Sequence, residues 1–206
     1  IIMRHGEQCS INGLTKTGKS QVKTSAKTLE KERLSPDFLI SSFPERTKIS
    51  ANILSKHFNL AVARTMDLLD IYGTDFSMQD FLETLPESRH VTAISGHEET
   101  IQLFGHTLLN EQDRISLFSL LPQERILDVE HNNFHSLHAT ASHADAMILK
   151  AAGNAKEEKS WKLFGYLAGG AIMRLQDVKN SDLALKGAKY FLEAPDMIDI
   201  AIRLPA

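Results

Sequence analysis

The sequence predicts a single α/β sandwich built on a mostly parallel sheet. Short aliphatic or β-branched runs alternate along the chain with segments of helical periodicity. Three of those runs, IIM, DFLISS and VTAIS, each pass within a few residues into a turn or a helix start. A chain of 206 residues that is 42% hydrophobic is also long enough for one domain with a sizeable core, so residues 1–206 are expected to form one domain.

The elements follow in order. IIM is an apolar strand running into Gly6, which places Arg4 and His5 at its C-terminal edge, where open α/β sheets bind ligands. TKTGKSQVKTSAKTLEKERL sets Val22, Ala26 and Leu29 at helical spacing with lysines elsewhere, and Pro36 stops that helix. DFLISS is a short strand ending at Ser41 and Ser42, and PERTKISANILSKHF opens a helix with Pro44 at its start. Residues 61–87 are less patterned, with a turn at Tyr72, Gly73 and Thr74 and a short helix in SMQDFLETL. VTAIS then leads through Gly96 and His97 into a helix bearing Ile101, Phe104 and Leu108 on one face. A mainly helical insertion is expected over about 110–165. Beyond it come a strand at Ala171–Leu175, a helix in DLALKGAKYFLEA, and a final strand with Ile198, Ile200, Ile202 and Leu204 on one side.

Lys plus Arg is 23 against 26 for Asp plus Glu, a formal charge of −3, which offers no broad electrostatic footprint for nucleic acid or a membrane surface. No apolar run approaches the ~20 residues of a membrane span. One cysteine, Cys9, rules out an internal disulfide and fits a reducing compartment, so a cytoplasmic protein is expected; an opening on Ile1 leaves room for residues upstream, a removed signal included.

Three strand-to-helix junctions carry polar residues suited to an anion: Arg4 and His5, Arg46, and His97. Arginine presents a planar fork of donors that matches phosphate oxygens, and the following helix starts add backbone N–H groups and a favourable dipole. No GxxxxGK[ST] loop and no carboxylate cluster suggests a metal or nucleotide site. The residues point to phosphoryl chemistry centred on a histidine.

Four motifs in order, RHGE at 4–7, LTKTGKSQ at 14–21, SSFPERTKISA at 41–51 and SGHE at 95–98, resemble the histidine phosphatase superfamily, also called phosphoglycerate mutase-like. The short loop between Gly6 and Leu14 is most similar to the small bacterial phosphohistidine phosphatases of the SixA type. The resemblance covers residues 1 to about 108. It implies a three-layer α/β/α sandwich and a hydrolase with no cofactor and no metal, acting on a phosphorylated small molecule or a phosphohistidine protein. It further implies that His5 attacks phosphorus and that Arg4, Arg46 and His97 hold the phosphoryl oxygens.

The departures are Phe43, which stands between Ser42 and Pro44, and Ser50, where threonine is common. The general acid is open between Glu98, directly after His97, and Asp70 in LLDIYG; Glu7 and Cys9 are set aside. His131, His135 and His138 fall at i, i+4 and i+7, with His143 beyond, a spacing that suits zinc on a helix, but no carboxylate accompanies them at zinc-site spacing and no metal is expected. The insertion is instead expected to cap the pocket and select the substrate, with Trp161, Phe164 and Tyr166 packed beneath it. The competing functions are a mutase-like phosphotransferase and a module that binds phosphorylated partners without turnover.

Overall fold

A computed structural model of the chain describes residues 1–9, 13–66, 77–86, 90–121, 126–131, 134–139 and 141–177. The expected turn at 72–74, Asp70, the late helix and the final strand lie outside the described residues.

The elements are β1 (Ile2–Arg4), α1 (Lys16–Lys31), β2 (Phe38–Ser42), α2 (Glu45–Phe58), β3 (Val62–Met66), α3 (Met78–Glu83), β4 (Thr92–Gly96), α4 (Glu98–Leu108), α5 (Glu111–Leu120), β5 (Ile126–His131), β6 (Phe134–Ala139), β7 (Ala146–Ala151), β8 (Trp161–Ala168) and β9 (Ala171–Arg174). Among the described residues, seven strands form one sheet in the order β3-β2-β4-β1-β7-β8-β9. The pairs β3/β2, β2/β4 and β4/β1 are parallel, and β7, β8 and β9 continue from β1 as an antiparallel meander. Five of the seven strands therefore share one direction, so the sheet is mixed and mostly parallel.

Strand periodicity divides the core in two. Ile2, Ile40, Ile94, Met147 and Tyr166 face a cluster with Phe81 of α3, Ile101, Phe104 and Leu108 of α4 and Leu120 of α5. Their neighbours Met3, Leu39, Ala93, Ile148 and Leu167 face the other way, onto Val22, Ala26 and Leu29 of α1 and Leu54 of α2. This is the three-layer arrangement, with α1 and α2 on one side and α3, α4 and α5 on the other. Tyr166 is fully buried, and Trp161 and Phe164 are partly buried against the two clusters, in the packing role expected of them.

Local signals set the helix ends. The Thr15 side chain caps α1 by accepting from the Gly18 amide at 2.9 Å, and Asn110 caps α5 by accepting from the Asp113 amide at 2.8 Å. Asn59 ends α2 in the left-handed region at φ 55°, a conformation asparagine tolerates.

One expectation is corrected. The stretch of about 110–165, expected to be mainly helical, carries among its described residues one α-helix, α5, a short 3-10 turn at Glu158–Ser160 and four strands. The β5/β6 hairpin pairs His131 with Phe134, Glu130 with His135 and Leu127 with His138, so the helical spacing of these histidines does not arise. β7 and β8 belong to the main sheet beside β1. The physical reason lies in composition: AMILKA and WKLFGYLA are short apolar runs, which periodicity alone does not assign to strand or helix. Among the described residues, no helix is long and apolar enough to cross a membrane.

Candidate active site

The sheet brings the three junctions together. β1 pairs with β4 so that Arg4 lies opposite Gly96, and the His5 amide donates to the Gly96 carbonyl at 2.9 Å. β2 lies on the other side of β4, with Ser41 opposite Ser95, and α2 starts three residues after that strand. Arg4, His5, Arg46, His97 and Glu98 thus meet at the carboxyl edge of three adjacent strands, where α2 and α4 leave for opposite faces of the sheet.

Both histidine side chains are enclosed. His5 and His97 are each 4% exposed, and their rings meet edge to face with centroids 5.0 Å apart. The His5 Nδ1 lies 2.7 Å from the Gly6 carbonyl oxygen. A carbonyl only accepts, so Nδ1 carries the hydrogen and Nε2 keeps its lone pair. On His97 the tautomer is the opposite one: the Arg46 Nη2, which can only donate, stands 3.4 Å from Nδ1, leaving the hydrogen on Nε2.

Burial holds the His5 imidazole down to about 4, against the Gly6 hydrogen bond that favours the charged ring and with help from Arg46, Arg4 and His143. Burial, followed by Arg46, His5 and Arg4, holds His97 down to about 3. Both rings are neutral at physiological pH.

Arg4 is fixed through Nη1, which donates to Glu98 Oε2 at 2.8 Å and to the Ala141 carbonyl. Glu98, in the first turn of α4, is pushed up by burial even though Arg4 beside it acts in the opposite sense. Among the described residues, three buried donors at this edge have no hydrogen-bond partner: Arg4 Nε, Arg46 Nε and His97 Nε2. Leaving such groups buried and unpaired is costly, roughly 1–3 kcal/mol each, so this is a cradle shaped for an acceptor-rich anion.

The remaining motif residues build the frame. Glu7 accepts from the Thr15 hydroxyl at 2.7 Å and its amide donates to Gln21 Oε1 at 2.9 Å, which ties the RHGE loop to α1. Gly6 and Gly18 allow that contact: a Cβ on Gly6 would lie 2.3 Å from the Gly18 oxygen, and one on Gly18 would lie 2.2 Å from the Glu7 oxygen. Ser50 joins the Gly6 amide to the Arg46 carbonyl, so serine serves at that position. Phe43 is exposed, with Lys48 Nζ 4.1 Å over its ring, and leaves the path from Ser42 to Arg46 undisturbed. Cys9 is exposed.

Sequence reasoning missed one residue here. His143, read as the tail of a histidine run, has its ring centroid 5.7 Å from that of His5. Its spacing from the other histidines gave no signal; only the loop that leads into β7 brings it back to β1.

No protein-family model matches the chain, and no curated protein matches it in sequence. Solved structures do match in fold. One from Agrobacterium tumefaciens, assigned as a phosphohistidine phosphatase SixA, is 15% identical with a TM-score of 0.55, over 81% of this chain and 95% of that one. A mycobacterial glucosyl-3-phosphoglycerate phosphatase is 15% identical with a TM-score of 0.50, over 79% of this chain and 94% of the other. With its mixed, mostly parallel sheet flanked by helices, the chain has the phosphoglycerate mutase-like α/β fold of these histidine phosphatase structures.

Proposed function

We propose that the chain is a phosphatase that works through a phosphohistidine intermediate on His5. The observation that carries this reading is the set of buried, unpartnered donors on Arg4, Arg46 and His97 gathered around a neutral imidazole whose Nε2 lone pair is free of its own backbone. In the first step His5 Nε2 forms a bond to phosphorus while the bond from phosphorus to the leaving atom breaks, and the leaving atom takes the electron pair. Arg4, Arg46 and His97 hold the three non-bridging oxygens as charge spreads over them. Glu98, whose raised pKa favours the protonated carboxyl, supplies the proton to an alkoxide leaving group. Water then forms a bond to phosphorus, the P–N bond breaks, and His5 is released as the neutral ring with inorganic phosphate. Glu98 takes up the water's proton, which restores the starting state.

The two compared structures are described as phosphatases of phosphohistidine and of glucosyl-3-phosphoglycerate, which sets out the two substrate classes to be tried, a phosphohistidine protein and a small phosphoester. Incubation with an aryl phosphate and with a phosphohistidine-bearing protein, followed by acid-labile phosphoenzyme trapping, tests the proposal. The expected result is turnover and a trapped phosphohistidine in the wild type, both lost in a folded His5→Ala variant. Turnover that survives His5→Ala overturns the nucleophile assignment. Absence of turnover with normal phosphate binding favours the binding-module alternative, and transfer to added phosphoglycerate instead of water favours the mutase-like one.

A further inference from the structure

His143 comes back to the same site on the turn that leads into β7, its ring centroid 5.7 Å from that of His5. Residues 142–145 form that turn: the Asp145 amide donates to the Ser142 carbonyl at 3.1 Å and the Ser142 amide donates to Asp145 Oδ2 at 2.9 Å. The turn is zipped to the nucleophile's own backbone. The Ala144 amide donates to the His5 carbonyl at 3.1 Å, the Arg4 amide donates to the Asp145 carbonyl at 2.9 Å, and Ser25 Oγ clamps the Ala144 carbonyl at 2.9 Å. To make it, Ala144 adopts φ 62°, a left-handed conformation normally left to glycine. Strain of this kind persists where the surroundings over-determine it, and what the surroundings fix here is a ring tilted 49° against that of His5.

The placement assigns a side of the substrate. His5 and His97 are buried, whereas His143, like Arg4 and Arg46, is only partly buried, so its ring borders the site beside His5 with access to solvent. In-line attack by His5 sends the leaving group away from its buried ring and toward solvent, where a partly buried side chain such as His143 can meet it. Burial and then Arg4 lower the His143 pKa while Glu7 opposes them, which keeps a neutral ring with one N–H donor and one acceptor.

We propose that His143 is a further catalytic residue, which hydrogen-bonds the leaving atom as negative charge develops on it and then orients the water that takes its place. This rests on the phosphatase reading above. The contact gains strength as the leaving atom becomes more basic, because that atom carries more charge in the transition state.

The test is kcat/KM over a series of phosphomonoesters, from nitrophenyl to alkyl, whose leaving groups rise in pKa. The wild type is compared with His143→Ala, His143→Gln and Arg46→Ala, and thermal unfolding checks each fold. His143→Ala is expected to lose little on nitrophenyl phosphate and about 10²-fold on the alkyl ester, the loss typical of one donor to a developing oxyanion. His143→Gln, which keeps an N–H, is expected to recover part of that loss. Arg46→Ala is expected to lower the whole series evenly. An even loss across the series in His143→Ala, or no loss, overturns the role. If His143→Ala fails to fold, the slope of the His143→Gln series decides alone. A wild type that hydrolyses a phosphohistidine-bearing protein but no member of the series overturns this inference alone; one that hydrolyses neither, or a His5→Ala variant as active as wild type, overturns the phosphatase reading itself, and this inference with it.

Discussion

The Gly6 amide donates to Ser50 Oγ at 3.2 Å while the Ser50 hydroxyl donates to the Arg46 carbonyl at 2.9 Å. One buried side chain therefore locks the loop of the proposed nucleophile to the first turn of the helix that carries the second arginine. Ser50→Ala leaves the Gly6 N–H without its acceptor and is expected to cost about 1–3 kcal/mol of stability. It should also lower kcat/KM, since His5 and Arg46 lose their common brace, whereas Ser50→Thr keeps the hydroxyl and both properties. Urea denaturation with kinetics on the same variants checks this; an unchanged midpoint in Ser50→Ala refutes it.

Gly18 sets two effects against each other. Alanine is the better helix former by roughly 1 kcal/mol. A Cβ there, however, would sit 2.2 Å from the Glu7 carbonyl oxygen and 2.6 Å from its amide, both backbone atoms that cannot rotate away. Overpacking of this kind costs about 1–3 kcal/mol, so Gly18→Ala is expected to destabilise the chain and to push α1 off the RHGE loop. A rise in melting temperature refutes the clash.

Much of this site was legible in the sequence because it hangs on local grammar. Arg4 and His5, Arg46 and His97 each sit at a junction between an apolar run and a capped or proline-started helix, and the pairing of β1, β2 and β4 through parallel neighbours does the rest. The frame residues Thr15, Gly18 and Gln21 belonged to a recognisable motif, although their purpose, holding Glu7, required coordinates. The second half was read poorly. β7 and β8 are apolar runs whose strand character is set by burial against β1 and both core clusters, a tertiary cause that no short window contains. For the same reason His143 gave no signal: it enters the site through backbone bonds from residues 144 and 145 to residues 4 and 5.

The depressed histidines couple stability to pH. Their folded values lie at about 4 for His5 and about 3 for His97, while the unfolded chain titrates near 6.5. Above pH 6.5 both states are neutral and the full stability is present. As pH falls from 6.5 toward those folded values, the unfolded chain binds protons that the folded chain does not, and stability is lost, by about 2 kcal/mol per histidine at pH 5. Glu98, shifted the opposite way, offsets part of this. Denaturation at pH 7 and pH 5 should show the loss in wild type and a smaller one in His97→Gln; equal losses in both refute the linkage.

Glu98 separates two of its own duties. As the partner of Arg4 at 2.8 Å it orients a ligand of the proposed phosphate, and as a carboxyl with a raised pKa it supplies the proposed proton. Glu98→Gln keeps a hydrogen-bond acceptor for Arg4 but cannot titrate. The fall in kcat toward alkaline pH, as the wild-type acid ionises, is expected to flatten in this variant, with kcat about 10²-fold lower on an alkyl ester. A pH profile that keeps its shape leaves Glu98 as a positioning residue only.

Ala144 offers a stabilising change with a functional cost. Its φ of 62° is disfavoured for an L-residue by roughly 1–2 kcal/mol, whereas glycine adopts it freely. Glycine adds unfolded-state entropy worth about 0.4–1 kcal/mol, so the relief is the larger of the two and Ala144→Gly is expected to raise stability by up to about 1 kcal/mol. The same change gives the turn access to conformations that the Cβ forbids, and His143 is then held less firmly against His5. Activity is accordingly expected to fall on alkyl phosphates more than on nitrophenyl phosphate while the melting temperature rises. If stability falls instead, the strain at Ala144 is not what the backbone angle implies; if stability rises with activity unchanged across the series, the turn does not serve to hold His143.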